Sequence, residues 1–172
     1  GSAWIGRCER ASAAAAWGSA EPMTELAIEA PADAAYLAGS ATKVVFAGRL
    51  PGSSTTDLFL LDPEAAETPQ LLTPPINSGA NEWGPRVGPD NQLFFVRGDR
   101  QMMVMAGAVR PVGIPVPHRA VVTQAAPTSD GEWMFLCLPN YTPGELDQDI
   151  YVAKWVGENR VGEPIAVDQW RP

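Results

Sequence analysis

Cysteine, histidine and long apolar runs are all scarce in this 172-residue sequence, and each scarcity closes off a class of protein. Two cysteines, Cys8 and Cys137, do not make a disulfide framework in a chain of this length, although one bond between them stays open. Cys137 lies in the apolar run Trp133-Met134-Phe135-Leu136-Cys137-Leu138, where a thiol is ordinarily buried and inert. His118 is the only histidine, and no serine stands in a nucleophile-elbow context, so no serine triad is written here. The plain reading of His118 is a loop residue in Pro115-Val116-Pro117-His118-Arg119.

No run of about 18 apolar residues occurs, so no membrane span is expected. The alanines at 13 to 16 are too few, and lack a basic lead, for a secretory signal. Residues before Cys8 do not resemble a lipoprotein processing site, and Gly1-Ser2 is the kind of pair cloning leaves behind. Positive charge is short as well. Lysine and arginine total 12 against 20 acidic residues, a net charge of −8, with the cations scattered. Nucleic acid is a poor partner for such a chain, because neutralised phosphates supply most of that affinity.

What is abundant points one way. Hydrophobic residues make up 45% and charged residues 19%, a globular balance, while 17 prolines and 16 glycines suit short strands joined by turns. Ala11 to Ala16 favours helix by composition but has no apolar stripe and is too short to hold alone. The fold class expected is all-β.

A repeat runs along the chain. Glu82-Trp83-Gly84-Pro85 leads through Gly88-Pro89-Asp90-Asn91 into Gln92-Leu93-Phe94-Phe95-Val96. Val121 to Pro127 leads through Thr128-Ser129-Asp130-Gly131 into Glu132-Trp133-Met134-Phe135-Leu136. A worn copy takes Ala30 to Leu37 into Thr42-Lys43-Val44-Val45-Phe46. The apolar second strands begin about 40 to 50 residues apart, the length of a four-stranded propeller blade. Asp-Gly and Asp-Asn fit the turn, since both accept positive φ and the aspartate can bond nearby N–H groups.

Third strands follow at Asp57-Leu58-Phe59-Leu60-Leu61, Gln101 to Met105 and Asp149-Ile150-Tyr151-Val152-Ala153. Fourth strands follow at Gln70 to Thr73, Val109 to Val116 and Glu163 to Val167. Asp168-Gln169-Trp170-Arg171-Pro172 repeats the pattern of Asn81-Glu82-Trp83-Gly84-Pro85. The expected division is 1–28, the last strands of a partial unit; 29–76, 77–117 and 118–168, three full four-stranded blades; and 169–172, the start of another repeat.

This pattern resembles the TolB-type, WD40-like β-propeller repeat, whose blades run through Ser-Pro-Asp-Gly, an apolar strand and then Asp-Ile-Tyr-Val. Gly88-Pro89-Asp90-Asn91 and Ser129-Asp130-Gly131 match the turn, and Asp149-Ile150-Tyr151-Val152 matches the third strand. Trp155 with Gly162-Glu163-Pro164 resembles the fourth-strand approach of a cell-envelope subgroup. The resemblance covers about residues 30 to 172, strongly after Asn81. Gly88 stands where the family has serine, Asn91 where it has glycine, and the first unit lacks the Asp-Gly turn. The resemblance implies a partial propeller, a periplasmic or extracellular location, and a binding role without cofactor or metal. Under it Asp90, Asp130 and Asp149 are structural turn and strand residues.

Candidate sites are few. Glu145, Asp147 and Asp149 alternate as metal ligands on a strand would, but a calcium loop's glycine and terminal glutamate are missing. Asp90 and Asp130 occupy equivalent positions in different units, which separates them. Trp83 and Trp170 recur in register, and with Trp133 and Trp155 they offer aromatic faces for a ligand or packing between units. The long loop Pro139 to Gln148 carries Asn140 and Tyr141, the binding residues expected there. Three functions follow: a scaffold recognising a protein, peptide or glycan; the propeller portion of a glycoside-processing or peptidase-gating enzyme; or an open array pairing with a second copy by its edges.

Overall fold

The structure is a computed structural model that describes residues 6–8, 10–22, 34–36, 43–62, 68–98, 101–106, 108–116, 122–139 and 148–170. Among these residues every regular element but one is a strand, the exception being a single 3-10 turn at Pro89–Asn91. Ala11 to Ala16 forms turns and bends, as its lack of an apolar stripe requires. The protein is all-β.

Its strands form three antiparallel sheets and a small ribbon. The ribbon pairs β1 (Gly6–Arg7) with β2 (Glu21–Pro22). The first sheet is a meander of β3 (Ala34–Tyr36), β4 (Val44–Gly48), β5 (Asp57–Leu61) and β6 (Gln70–Leu71). The second runs through β7 (Glu82–Val87), β8 (Leu93–Arg97), β9 (Gln101–Ala106) and β10 (Ala108–Pro111). The third comprises β11 (Gln124–Pro127), β12 (Trp133–Pro139), β13 (Gln148–Gly157), β14 (Arg160–Val161) and β15 (Ile165–Ala166).

Four strands are expected in the third sheet and five are found. β13 is ten residues long and slips register between Trp155 and Gly157. Its far end therefore pairs with β14 across a Glu158-Asn159 turn, while its near end pairs with β15. A bulge that bends one long strand lets it serve two partners.

The sheets stack because their central strands are apolar on both faces. Successive side chains of β8 point to opposite sides. Leu93 and Phe95 enter a core with Val45, Ala47 and Leu58 of the first sheet. Phe94 and Val96 enter another with Met134, Leu136 and Leu138 of the third. The second sheet is thus packed on both faces, and its four residues are at most 2% exposed. Burying a side chain of this size contributes about 1.5–3 kcal/mol, so β8 alone ties both neighbours firmly.

Close approach fixes one glycine. A Cβ on Gly88 would fall 2.5 Å from Phe94 Cε2 and 2.9 Å from Pro127 Cγ, so any side chain there collides with the third sheet. Position 88 therefore has room for glycine alone. Asn91 (φ 59°) and Gly131 (φ 72°) then occupy the left-handed turn position that asparagine or glycine tolerates.

At the rim the chain leaving β10 crosses to the third sheet. Gly113 N–H donates to Asn159 O at 2.7 Å, and Val161 N–H donates to Gly113 O at 3.0 Å.

Candidate functional site

A concavity lies where the turn of the second sheet meets that of the third. It encloses about 300 Å3. Its apolar walls are Phe94, Trp155, Pro89 and Pro127, and its polar rim is Gln92, Asp130 and Glu158. Phe94 and Trp155 meet tilted, with centroids 6.0 Å apart, which fixes the indole against the core. A Cβ on Gly131 would lie 3.1 Å from Pro89 Cγ, so the two turns are in contact and the cleft is preformed.

The third-sheet turn builds its own rigid frame. The Thr128 hydroxyl donates to Asp130 Oδ1, and Glu132 N–H donates to the same oxygen at 2.9 Å. Trp133 N–H in turn donates to Thr128 Oγ1 at 3.1 Å. The Thr128 hydrogen bond first, and the Glu132 amide second, hold the exposed Asp130 carboxyl below its ordinary range. Across the cleft the exposed Glu158 carboxylate faces Arg110 at 3.4 Å, a surface pair of little energetic weight. Among the described residues the charged lining is Asp130 and Glu158, with Arg110 beside the second.

A second polar cluster seals the junction of the first and second sheets. Glu82 is fully buried. Its Oε1 accepts from Arg97 Nε at 2.9 Å and from Ser78 Oγ at 2.5 Å, and its Oε2 accepts from Ser78 N–H at 3.2 Å. Arg97 Nη2 also donates to Pro75 O at 2.6 Å and Ile76 O at 2.7 Å. Asn77 is buried alongside: Leu58 N–H donates to its Oδ1 at 2.9 Å, and its Nδ2 donates to Leu58 O and Leu72 O at 2.9 and 2.8 Å. Asn77 thereby finishes the hydrogen-bonding of two backbone segments.

Asp57 lies near this network, and its pKa is raised, by desolvation first and by the Glu82 charge second, with the Thr55 hydroxyl opposing. Two interacting carboxylates of this kind also occur in catalytic dyads. Here Glu82 is saturated by donors and closed to solvent, and the cleft at Trp155 does not reach it. The cluster is a clamp.

The sequence candidates distribute unevenly. Trp155 lies in the cleft and Asp130 on its rim. Trp83 is half-buried, packs against both cores and donates from Nε1 to Gly98 O at 2.9 Å. Trp170 packs edge-on against Trp133 and Phe135, at 5.5 and 6.1 Å. Asp149 is exposed at the start of β13, beside a recess of about 580 Å3 that Asp168 and Gln169 also line. The Asp90 backbone lies in the 3-10 turn, and its side chain falls outside the described residues. Asn140, Tyr141, His118, Glu145 and Asp147 also lie outside them.

Cys8 is exposed, Cys137 is half-buried, and neither forms a disulfide. Among the described residues no group of three or more His, Cys, Asp and Glu side chains is placed to hold a metal, and no helix is long and apolar enough to cross a membrane. Sequence reading missed the Glu82–Arg97–Asn77 cluster, whose only local signal is a glutamate, a serine and an asparagine within six positions. No protein-family model matches the chain, and no curated protein sequence matches it.

Proposed function

We propose that the three sheets are blades of a partial TolB-type β-propeller, a non-catalytic binding module of the cell envelope that recognises its ligand at the turn end of its blades. The observation that carries this reading is β8, whose alternate residues serve two different cores. Serial stacking of four-stranded meanders through both faces is how propeller blades bury their surfaces. The location, periplasmic or extracellular, follows from the family resemblance.

Of the ligand classes considered, a protein or peptide segment fits the cleft better than a glycan. An indole wall beside the Asp130 carboxyl, which its hydrogen bonds hold below the ordinary range, favours a basic side chain. Titrating a capped Ala-Arg-Ala peptide should shift the Trp155 indole resonance in a proton–nitrogen correlation spectrum, and Trp155→Ala should weaken binding about tenfold or more. An N-acetylglucosamine oligomer that shifts the same resonance more strongly would move the ligand to the glycan class. Silence toward both probes would remove the cleft as a binding site.

A further inference from the structure

The two carboxylates on the rim of the Trp155 cleft are held differently. Asp130 turns one oxygen to its own turn, where the Thr128 hydroxyl and the Glu132 N–H donate to it. Both donors are neutral, so the negative charge of Asp130 stays unbalanced. Glu158 instead faces a cation. Its Oε1 accepts from Arg110 Nη1 at 3.4 Å, with both side chains more than half exposed.

Neither end of this pair needs the pair to hold its place. Glu158 sits in the turn between β13 and β14, and that turn is fastened by main-chain bonds. Gly113 N–H donates to Asn159 O, and Val161 N–H donates to Gly113 O. The Val161 side chain is fully buried in the core that Trp155 packs against. Arg110 lies on β10 opposite Val104, three positions before Gly113. The backbone therefore sets the guanidinium beside the carboxylate, while water and salt weaken the attraction between them.

The contact is also a poor one for its type. A guanidinium carries five donors, and its strong pairing with a carboxylate is bidentate, through bonds of about 2.7–2.9 Å. Arg110 reaches Glu158 through one nitrogen at 3.4 Å and leaves the better arrangement unmade. An arginine arriving on a ligand, free of the sheet, can make it. What Arg110 offers Glu158 is the same chemistry that a basic ligand brings.

We propose that Arg110 is a built-in competitor at the cleft: its guanidinium rests on Glu158, and a basic side chain of the ligand displaces it. The inference rests on the basic-ligand reading of the cleft given above. Arg110 thereby sets a threshold for entry. An uncharged group gains nothing from Glu158, whereas a guanidinium able to span both carboxylate oxygens takes it over.

Titrations of the Trp155 indole resonance test this with two probes, capped Ala-Arg-Ala and the same peptide with uncharged citrulline in place of arginine. Four proteins are compared: the parent, Arg110→Gln, Glu158→Gln and the double variant. Arg110→Gln should bind the arginine peptide about two- to fivefold more tightly than the parent. Glu158→Gln should weaken that binding, and in its presence Arg110→Gln should bring no gain. The citrulline peptide should not distinguish Arg110→Gln from the parent. Circular dichroism melts of the four should coincide, since main-chain bonds hold the turn. A lower melt for Arg110→Gln would make Arg110 a structural strut and overturn the inference. Arginine-peptide binding that Arg110→Gln leaves equal or weaker overturns it too, and spares the cleft as a site. So does a gain that persists beside Glu158→Gln, because charge at a distance would then be the cause. Silence of all four proteins toward the arginine peptide removes the basic-ligand reading and this inference with it.

Discussion

The two junctions between sheets are closed by different chemistry. Between the first and second sheets an apolar core is locked at its end by Glu82, Arg97, Ser78 and Asn77, every one of them bonded. Between the second and third sheets the core is larger and carbon-lined, and its turn end opens into the cleft at Trp155. One junction invests its polar groups in holding two sheets together, and the other leaves them facing solvent. A buried ionic cluster fixes one geometry at some cost in desolvation, whereas an apolar seam with an open end can admit a ligand. The contrast separates a junction sealed by bonded polar groups from one whose turn end stays open as a cleft.

The sharpest way to break the comparison is to empty each core in turn. Phe94→Ala should cost about 3–5 kcal/mol through the second junction and loosen Trp155, while Phe95→Ala should cost a similar amount through the first and leave the indole in place. Urea unfolding monitored beside tryptophan emission distinguishes the two. Next comes the clamp. Glu82→Ala strands Arg97 and two Ser78 donors, and should cost about 3 kcal/mol in the same measurement. An effect below about 1 kcal/mol would show that the junction rests on its apolar contacts alone.

The smallest effect is a pH dependence. Because burial raises the Asp57 carboxyl above its ordinary 3.8, the folded chain keeps a proton that the unfolded chain has already released. Stability from this group is therefore present at low pH and lost as pH climbs through the raised value. Asp57→Asn should melt higher than the parent at neutral pH, with the difference vanishing below the ordinary value. A gap that stays constant with pH would mean that Asp57 does not titrate differently on folding.

Much of the architecture was legible because it is local. Turn chemistry at Pro89-Asp90-Asn91 and Ser129-Asp130-Gly131, followed by apolar runs, marked β8 and β12. The all-β expectation rested on such runs, and the structure is all-β. Facing was not legible. Aligned by their turns, Leu93 matches Trp133, yet Leu93 packs inward against the first sheet, whereas on β12 it is Met134 that packs against the sheet preceding it. A one-residue difference between turn and strand reverses which side chains are buried, and composition carries no trace of it. β7 accommodates a register shift between Trp83 and Arg86, while β11 pairs with β12 without one.

The clamp was hidden for another reason. Arg97 lies 15 positions from Glu82, and Asn77 19 from Leu58, so neither contact has a sequence period. For the candidate site, Trp155 was visible as an unusual aromatic, but its cleft depends on Pro89 and Pro127 from two separate turns meeting.

The rim crossing at Gly113 has a mechanical corollary. Its two bonds, to Asn159 O and from Val161 N–H, join main-chain atoms only. A load pulling the second and third sheets apart would shear this joint before their cores part, and no side chain sets its strength. The side chains of Asn159 and Arg160 can therefore drift in evolution while the fastening persists, whereas Val161 is held by the core it enters, and the two sheets should come undone together rather than one after the other.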